Sequence, residues 1–204
     1  MKLYVASRAP SPRRVLMFLV EKGINGLDLV DVDLNALEHK GDAYRAKSPL
    51  ARVPALELDD GRVLTETRAI CTYLEGRHPV PNLMGVDATE RAFIEMADRR
   101  VEWYFLLPIA NCVRHTHPGL APLEQPQFPE FGRSQGEKLR ETAAWLDGEL
   151  QRQPWVAGER FSIADITAVV AVDFARVVKH KPGEQHPHLL RWRAAMAARP
   201  SMSL

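Results

Sequence analysis

A proline-led hairpin that runs into a helix carries the most informative chemistry of this sequence. Val53 and Pro54 enter one strand, an Asp-Gly turn leads to a second strand, and a helix follows at Glu66 and Thr67. Proline has no N–H for a sheet ladder, so the main chain of Val53 stays available to pair with an extended ligand. The N–H groups at the helix start form an anion site, and the Glu66 carboxylate can hold an amine. The pattern predicts a site for a small molecule with an extended amide backbone and an α-amino-acid end.

The elements around this hairpin predict an α/β domain in thioredoxin-like order, β-α-β-α-β-β-α. The predicted strands and helices, in chain order, are 2–6, 12–23, 27–33, 41–47, the hairpin and 66–77. In the first helix, Ser11 is the expected N-cap and Pro12 the first helical residue, and Gly23 ends the helix.

The second half of the chain predicts helices only. Two prolines near residue 80 break the α/β pattern, and the helices expected after them are 88–116, 132–152, 162–179 and 187–198. Pro108 predicts a kink in the first of these helices, and Ser162 with Asp165 predicts a capping box on the third. The expected domains are a thioredoxin-like domain at 1–78, a linker at 79–87 and an all-helical domain at 88–204.

Composition narrows the class of protein. A net charge of +1 without a long basic run argues against a nucleic-acid partner. No stretch is long and apolar enough to span a membrane, so we expect a cytoplasmic protein without a membrane partner. The two cysteines, Cys71 and Cys112, are far apart and are typical of buried thiols in a reducing compartment. The pairs His115-x-His117 and His186-x-His188 lack the further ligands of known metal motifs, so no metal is expected.

Three motifs together resemble a known family. Val53-Pro54 followed by Glu66-Thr67 resembles the glutathione-binding half of cytosolic glutathione S-transferases. The segment 158–165 is similar to the C-terminal folding motif of that family. Segments 8–15 and 114–118 are similar to a fungal and bacterial subclass that lacks the usual catalytic Ser, Cys or Tyr. The resemblance covers nearly the whole chain and implies glutathione as co-substrate.

The resemblance implies a binding role for several residues. Glu66 and Thr67 are expected to hold the γ-glutamyl end of glutathione, and Val53, before Pro54, its cysteinyl amide. The candidates for its glycine carboxylate are His39, Lys40 and Arg52. The alternative for His39 and Lys40 is a solvated helix start, and for Glu66 a first-turn acid that serves the helix dipole. The candidates for an apolar electrophile site are Trp103, Tyr104, Phe105 and Leu106, for which core packing is the alternative.

A glutathione transferase must also make the thiol of glutathione anionic. Lowering its pKa by two units from ~8.5 takes roughly 2.7 kcal/mol of anion stabilisation, which a helix N-terminus and one hydrogen bond can supply. The position where other classes place a serine or cysteine is occupied by Ala9. The nearest hydroxyls are Ser11, for which the alternative is a plain N-cap, and Ser7. The resembled subclass implies a water held by a histidine, here His115 or His117, although either could simply cap a helix end.

These inferences predict a homodimeric glutathione transferase that conjugates glutathione to small hydrophobic electrophiles. The resemblance implies a dimer interface over 88–104, with Asp98 or Glu102 as contacts to the partner's glutathione. Two other enzyme activities fit the same scaffold, a glutathione-dependent isomerase and a peroxidase. Ala9 also keeps open a non-catalytic glutathione-binding module that serves protein interaction.

Overall fold

The structure of the protein is a computed structural model that describes residues 1–6, 9–181 and 183–204. The chain forms two compact units. The first comprises Met1–Asn82 with Pro200–Leu204, and the second comprises Leu83–Arg199. Within the described ranges, no helix combines the length and the apolar character needed to cross a membrane.

A four-stranded mixed sheet forms the centre of the first unit, with the order β2-β1-β3-β4. Its strands are β1 (Lys2–Val5), β2 (Asp28–Asp31), β3 (Ala55–Glu57) and β4 (Val63–Thr65). β1 is parallel to β2 and antiparallel to β3, and β3 with β4 is the predicted hairpin. Successive residues face opposite sides, so the pair Leu3 and Leu56 lies on one face and Tyr4 with Ala55 on the other.

The helices of the first unit are α1 (Pro10–Glu21), α2 (Asp42–Arg45) and α3 (Thr67–Arg77). The predicted N-cap of α1 is wrong. Ala9 occupies the cap position without a side-chain hydrogen bond, and Pro10 is the first helical residue. Both Pro10 and Pro12 suit the first turn, where proline loses no helical hydrogen bond, so the helix starts two residues early. Ser11 therefore lies inside the first turn.

Two contacts tie distant segments of the first unit together. Lys22 has a buried side chain whose Nζ donates to a Glu75 carboxylate oxygen and to the Pro81 carbonyl oxygen, each at 2.6 Å. Ser201 is fully buried, and its hydroxyl donates to Glu21 Oε1 at 2.6 Å. Residues 200–204, expected in the helical domain, thus belong with the first unit.

The second unit is helical. Its helices are α4 (Ala88–Val101), α5 (Leu107–Thr116), α6 (Pro129–Arg152), α7 (Ile163–Ala175) and α8 (Pro187–Ala197). The long helix predicted over 88–116 is interrupted by a π-helical turn, Glu102–Leu106, just before Pro108. Pro108 has no N–H for the Tyr104 carbonyl one turn earlier, and the Thr142 hydroxyl donates to that carbonyl at 2.8 Å instead.

Helix α7 forms the core of this unit and starts at the predicted capping box, which the structure confirms. The Asp165 carboxylate accepts the N–H groups of Ser162 and Val156 and the Trp192 indole N–H, each at 2.9 Å. Burial raises the pKa of Asp165 to about 6, and these donors act against that rise. The contacts fix the start of α7 to the segment before it and to α8.

Helices α5 and α6 approach each other closely at two glycines of α6. A Cβ on Gly132 would lie 2.7 Å from Thr116 Cγ2 and 3.0 Å from His115 Cβ. A Cβ on Gly136 would lie 3.1 Å from the sulfur of Cys112. Cys112 and Cys71 are both buried and free of disulfides, as their positions in apolar patterns predicted.

Candidate glutathione site and electrophile site

The start of α3 has the backbone of a specialised site. Glu66 is the N-cap of α3 and has φ +65° and ψ +121°, a conformation that a residue with a side chain adopts only when its surroundings impose it. Its carboxylate is exposed. Thr67, by contrast, is buried, and its hydroxyl donates to the Ser11 carbonyl oxygen at 3.3 Å. The first turn of α1 and the start of α3 therefore lie side by side, with the Glu66 carboxylate facing solvent.

The open strand end lies at Val53. Its bond to Pro54 is cis, and the ladder between β1 and β3 begins only at Ala55. Among the described residues, none hydrogen-bonds to the N–H or the carbonyl of Val53. A half-buried strand end with both main-chain groups available can pair with an extended peptide ligand.

A cationic cluster surrounds His39, the first candidate for the glycine carboxylate. His39 is buried, so the alternative that it only begins a helix in solvent is wrong. Lys40 is exposed. Within the described part of the chain, His39 Nδ1 has no hydrogen-bond partner. Burial, and then the charges of Lys40, Arg52 and Arg45, lower the pKa of His39. An anion placed here would meet several positive groups, including Arg45, which the sequence reasoning missed.

The candidates for thiol activation lie in different units. Ser11 is in the first turn of α1, and its hydroxyl is not used as the cap of that helix. Ser7 lies outside the described residues. His115 Nδ1 accepts the Phe128 N–H at 3.1 Å, and its ring packs edge-on against Phe131.

His117 is the C-cap of α5, as the alternative interpretation proposed, and its Nδ1 accepts the Gly119 N–H at 3.1 Å. In His115 and His117 alike, the neutral ring then carries its proton on Nε2. Each ring therefore presents a donor on the nitrogen opposite its backbone contact.

The aromatic candidates divide into core and surface. Phe105 and Leu106 are buried, with 1% and 7% of their surfaces exposed, so the core-packing alternative holds for both. Trp103 and Tyr104 are 62% and 66% exposed. Tyr104 borders a groove of about 560 Å³ whose other walls include Trp145 and Thr142. Two of the four predicted electrophile contacts therefore remain available.

Asp98 cannot reach a partner chain, contrary to expectation. Its side chain is fully buried, its carboxylate accepts the Thr167 hydroxyl at 2.5 Å, and Arg99 pairs with it at 2.5 Å. Glu102 pairs with the same Arg99 and keeps a quarter of its side chain exposed. No cluster of three or more potential metal ligands occurs in the described ranges.

Comparison with known proteins decides the family. Residues 9–77 match the family model for the glutathione S-transferase N-terminal domain, and residues 133–200 match that for the C-terminal domain. Glutathione S-transferase 2 of Saccharomyces cerevisiae is 35% identical and covers 99% of this chain, with 88% of its own length aligned. The chain belongs to the glutathione S-transferase family. It is therefore an enzyme of this type, and glutathione is its co-substrate.

Solved and curated relatives extend this identification. A glutathione S-transferase domain-containing protein from Marinobacter aquaeolei superposes with a TM-score of 0.95 at 41% identity, covering 99% of this chain and all of its own. Maleylacetoacetate isomerase of Pseudomonas aeruginosa is 42% identical over 83% of this chain and 78% of its own length. The predicted thioredoxin-like and all-helical halves are thus confirmed as the fold of this transferase family.

Proposed function

We propose that this glutathione S-transferase conjugates glutathione to small hydrophobic electrophiles. The observation that carries the proposal is Glu66, held at a positive φ with its carboxylate exposed at the start of α3. A backbone maintained in an unfavourable conformation points to a functional demand on that residue. Residues in the first unit would bind the tripeptide, and the exposed rings of Trp103 and Tyr104 would contact the electrophile.

Each part of glutathione has a complementary group in the first unit. Glu66 and Thr67 would hold the amine and carboxylate of the γ-glutamyl end, through the Glu66 side chain and the N–H groups of α3. The main chain of Val53, before Pro54, would pair with the cysteinyl amide. His39, Lys40 and Arg52 would receive the glycine carboxylate, since the positive charges of Lys40 and Arg52 act at the His39 ring.

Thiolate formation is assigned to the N-terminus of α1 with Ser11, assisted by His115 or His117 through water. The dipole and unpaired N–H groups of a helix start favour an anion. The Nε2–H of a neutral histidine can donate to a water that in turn donates to the thiolate. Replacing the responsible histidine should raise the pKa of bound glutathione by about one unit, or roughly 1.4 kcal/mol.

The isomerase relative supports a second candidate activity, and thiol stoichiometry separates the alternatives. Conjugation with chlorodinitrobenzene forms a carbon–sulfur bond, breaks the carbon–chlorine bond and releases chloride and the thiol proton, so it consumes one thiol per electrophile, whereas isomerisation returns every thiol unchanged. A peroxidase oxidises two thiols to one disulfide for each peroxide reduced. The test is thiol titration with chlorodinitrobenzene, a cis-dienone acid and an organic peroxide in turn. Loss of one thiol per chlorodinitrobenzene is expected, and glutathione binding without any turnover would refute catalysis.

We also propose a homodimer in the cytoplasm that uses residues 88–104. Phe93 and Met96, close to one turn apart on α4, are exposed apolar side chains, and Glu102 remains as the contact to the partner's glutathione. A stable interface should bury more than roughly 1,000 Å² and persist at micromolar concentration. Ultracentrifugation should report a dimer that Phe93→Asp dissociates. A wild-type monomer at that concentration would contradict the assignment. Neither Cys71 nor Cys112 forms a disulfide, which supports a reducing compartment.

A further inference from the structure

Two buried hydroxyl groups converge on one carbonyl oxygen beside the open strand end. The Tyr44 hydroxyl donates to the Arg52 carbonyl oxygen at 2.9 Å, and the Ser48 hydroxyl donates to the same oxygen at 2.9 Å. The Arg52 N–H donates back to Ser48 Oγ at 3.2 Å. Only 5% of Tyr44 and 1% of Ser48 are exposed. The main chain of Arg52 is therefore held from the interior of the first unit on both its N–H and its carbonyl.

The turn between these residues needs such support. The Ala51 N–H donates to the Ser48 carbonyl oxygen at 2.8 Å, which closes the turn. Ala51 is buried and has φ +53°, in the left-handed region that favours glycine. Contacts around the turn must therefore maintain it, and the Tyr44 and Ser48 hydroxyls provide those contacts.

The geometry of the peptide unit transmits this restraint to Val53. The Arg52 carbonyl and the Val53 N–H belong to one trans peptide, in which the two groups point in opposite directions in a common plane. Fixing the oxygen therefore fixes the direction of the N–H. Two donors on the oxygen also polarise the peptide and strengthen its N–H as a donor. No described residue accepts that N–H, which is available to a ligand.

We propose that Tyr44 and Ser48 are positioning residues that aim the Val53 N–H at the cysteinyl carbonyl of bound glutathione. This inference rests on the proposed function, because it requires glutathione to lie along Val53. Burial, with the nearby Tyr4 as a smaller cause, raises the pKa of Tyr44 to about 12. The Tyr44 hydroxyl thus keeps its proton, and its role as donor, at any pH at which the enzyme works.

The test compares Tyr44→Phe and Ser48→Ala with Tyr4→Phe as a matched control. The Tyr4 ring packs edge-on against Tyr44 with centroids 6.1 Å apart, and its hydroxyl donates to Glu57 at 2.7 Å rather than to Arg52. Calorimetry with glutathione should show affinity reduced about 3- to 10-fold in Tyr44→Phe and Ser48→Ala, and less than about 2-fold in Tyr4→Phe. The KM for glutathione should rise correspondingly while kcat changes little.

The amide signal of Val53 in ¹H–¹⁵N spectra supplies a readout that general destabilisation does not move. Glutathione should shift this signal downfield in the wild type and in Tyr4→Phe, and less in the other two variants. If Tyr44→Phe, Ser48→Ala and Tyr4→Phe all had the same affinity for glutathione and the same Val53 shift as the wild type, the inference would be overturned. An equal loss of affinity in Tyr4→Phe would also overturn it. Failure of the proposed function looks different, because the wild type itself would then show no response of Val53 to glutathione.

Discussion

The strained backbone of Glu66 predicts that stability and ligand binding respond in opposite directions to one substitution. Glycine has no Cβ to clash at φ +65°, whereas alanine keeps that clash, so Glu66→Gly and Glu66→Ala differ mainly in backbone strain. Relief of a strained φ contributes about 1–3 kcal/mol to the free energy of unfolding. The greater freedom of glycine in the unfolded chain subtracts about 0.4–1 kcal/mol. Glu66→Gly should therefore be about 1–2 kcal/mol more stable than Glu66→Ala.

The affinity for glutathione should not rise with the stability of Glu66→Gly. Both substitutions remove the carboxylate proposed to hold the γ-glutamyl amine, which should cost about 1–3 kcal/mol, or roughly 5- to 150-fold in the dissociation constant for glutathione. Glu66→Gln is the matched control, because it keeps the shape and the strained φ but removes the charge. It should lose affinity like the other two variants while its stability stays close to that of the wild type.

The assays are urea unfolding and calorimetry with glutathione on the same preparations. In a chain of this size each kcal/mol shifts the thermal midpoint by about 2–4 °C, so thermal unfolding provides an independent check. Equal stability of Glu66→Gly and Glu66→Ala would refute the strain argument. Wild-type affinity in Glu66→Gly would refute the assignment of the carboxylate to the amine.

Three further predictions concern the second unit. Arg160, and then the N–H of Val86, lower the pKa of Glu90 to about 2, from 4.5 when unfolded. This pair should stabilise the fold above pH 4.5 and lose that effect as pH falls toward 2, by about 1 kcal/mol after solvent screening. The urea midpoint should vary less with pH in Glu90→Gln than in the wild type. The same pH dependence in both proteins would show that the pair of Glu90 and Arg160 does not contribute to stability. Asp165→Asn should lower the free energy of unfolding by about 3 kcal/mol, because the new amide N–H₂ meets N–H donors. A urea unfolding curve of Asp165→Asn that coincides with the wild-type curve would contradict this prediction. Gly132→Ala should destabilise by about 1–3 kcal/mol through its contacts with α5, whereas Gly148→Ala, with open space around its Cβ, should stabilise by up to about 1 kcal/mol. Equal thermal midpoints for the two glycine variants would show that α5 and α6 relax freely.

Local chemistry explains why the hairpin and the start of α3 in the first unit could be predicted from the sequence. Pro54 removes a donor from the ladder, and the residues around Glu66 and Thr67 suit a helix start, so both ends of the site were predicted from neighbouring residues alone. The positive φ of Glu66 was not predicted, since nothing in a glutamate signals it. The N-cap of α1 was misplaced because Pro10 and Pro12 satisfy the same local rule.

Long-range contacts account for what the sequence could not supply in the helical half. Four consecutive residues at 103–106 cover a whole helical turn, so spacing alone cannot tell which of them face the core. Their division depends on the π-helical turn and on Thr142 from α6. The buried carboxylate of Asp98 finds its hydrogen-bond donor in Thr167, far along the chain. In the first unit, the role of the Tyr44 hydroxyl was missed because its acceptor, the Arg52 carbonyl, lies 8 residues later outside any regular spacing, although a serine before a proline, as at Ser48, is a signal for a turn.

The return of residues 200–204 to the first unit has a consequence for how the polypeptide is made. The Ser201 hydroxyl donates to Glu21, so the thioredoxin-like half consists of two stretches of chain separated by the entire helical unit. On the ribosome, that half cannot be completed until the helical unit has been synthesised. The thioredoxin-like half therefore lacks its contact with residues 200–204 while the helical unit is being synthesised. A tag or a deletion at residues 200–204 would thus disturb the thioredoxin-like half, although these residues follow the helical half in the sequence.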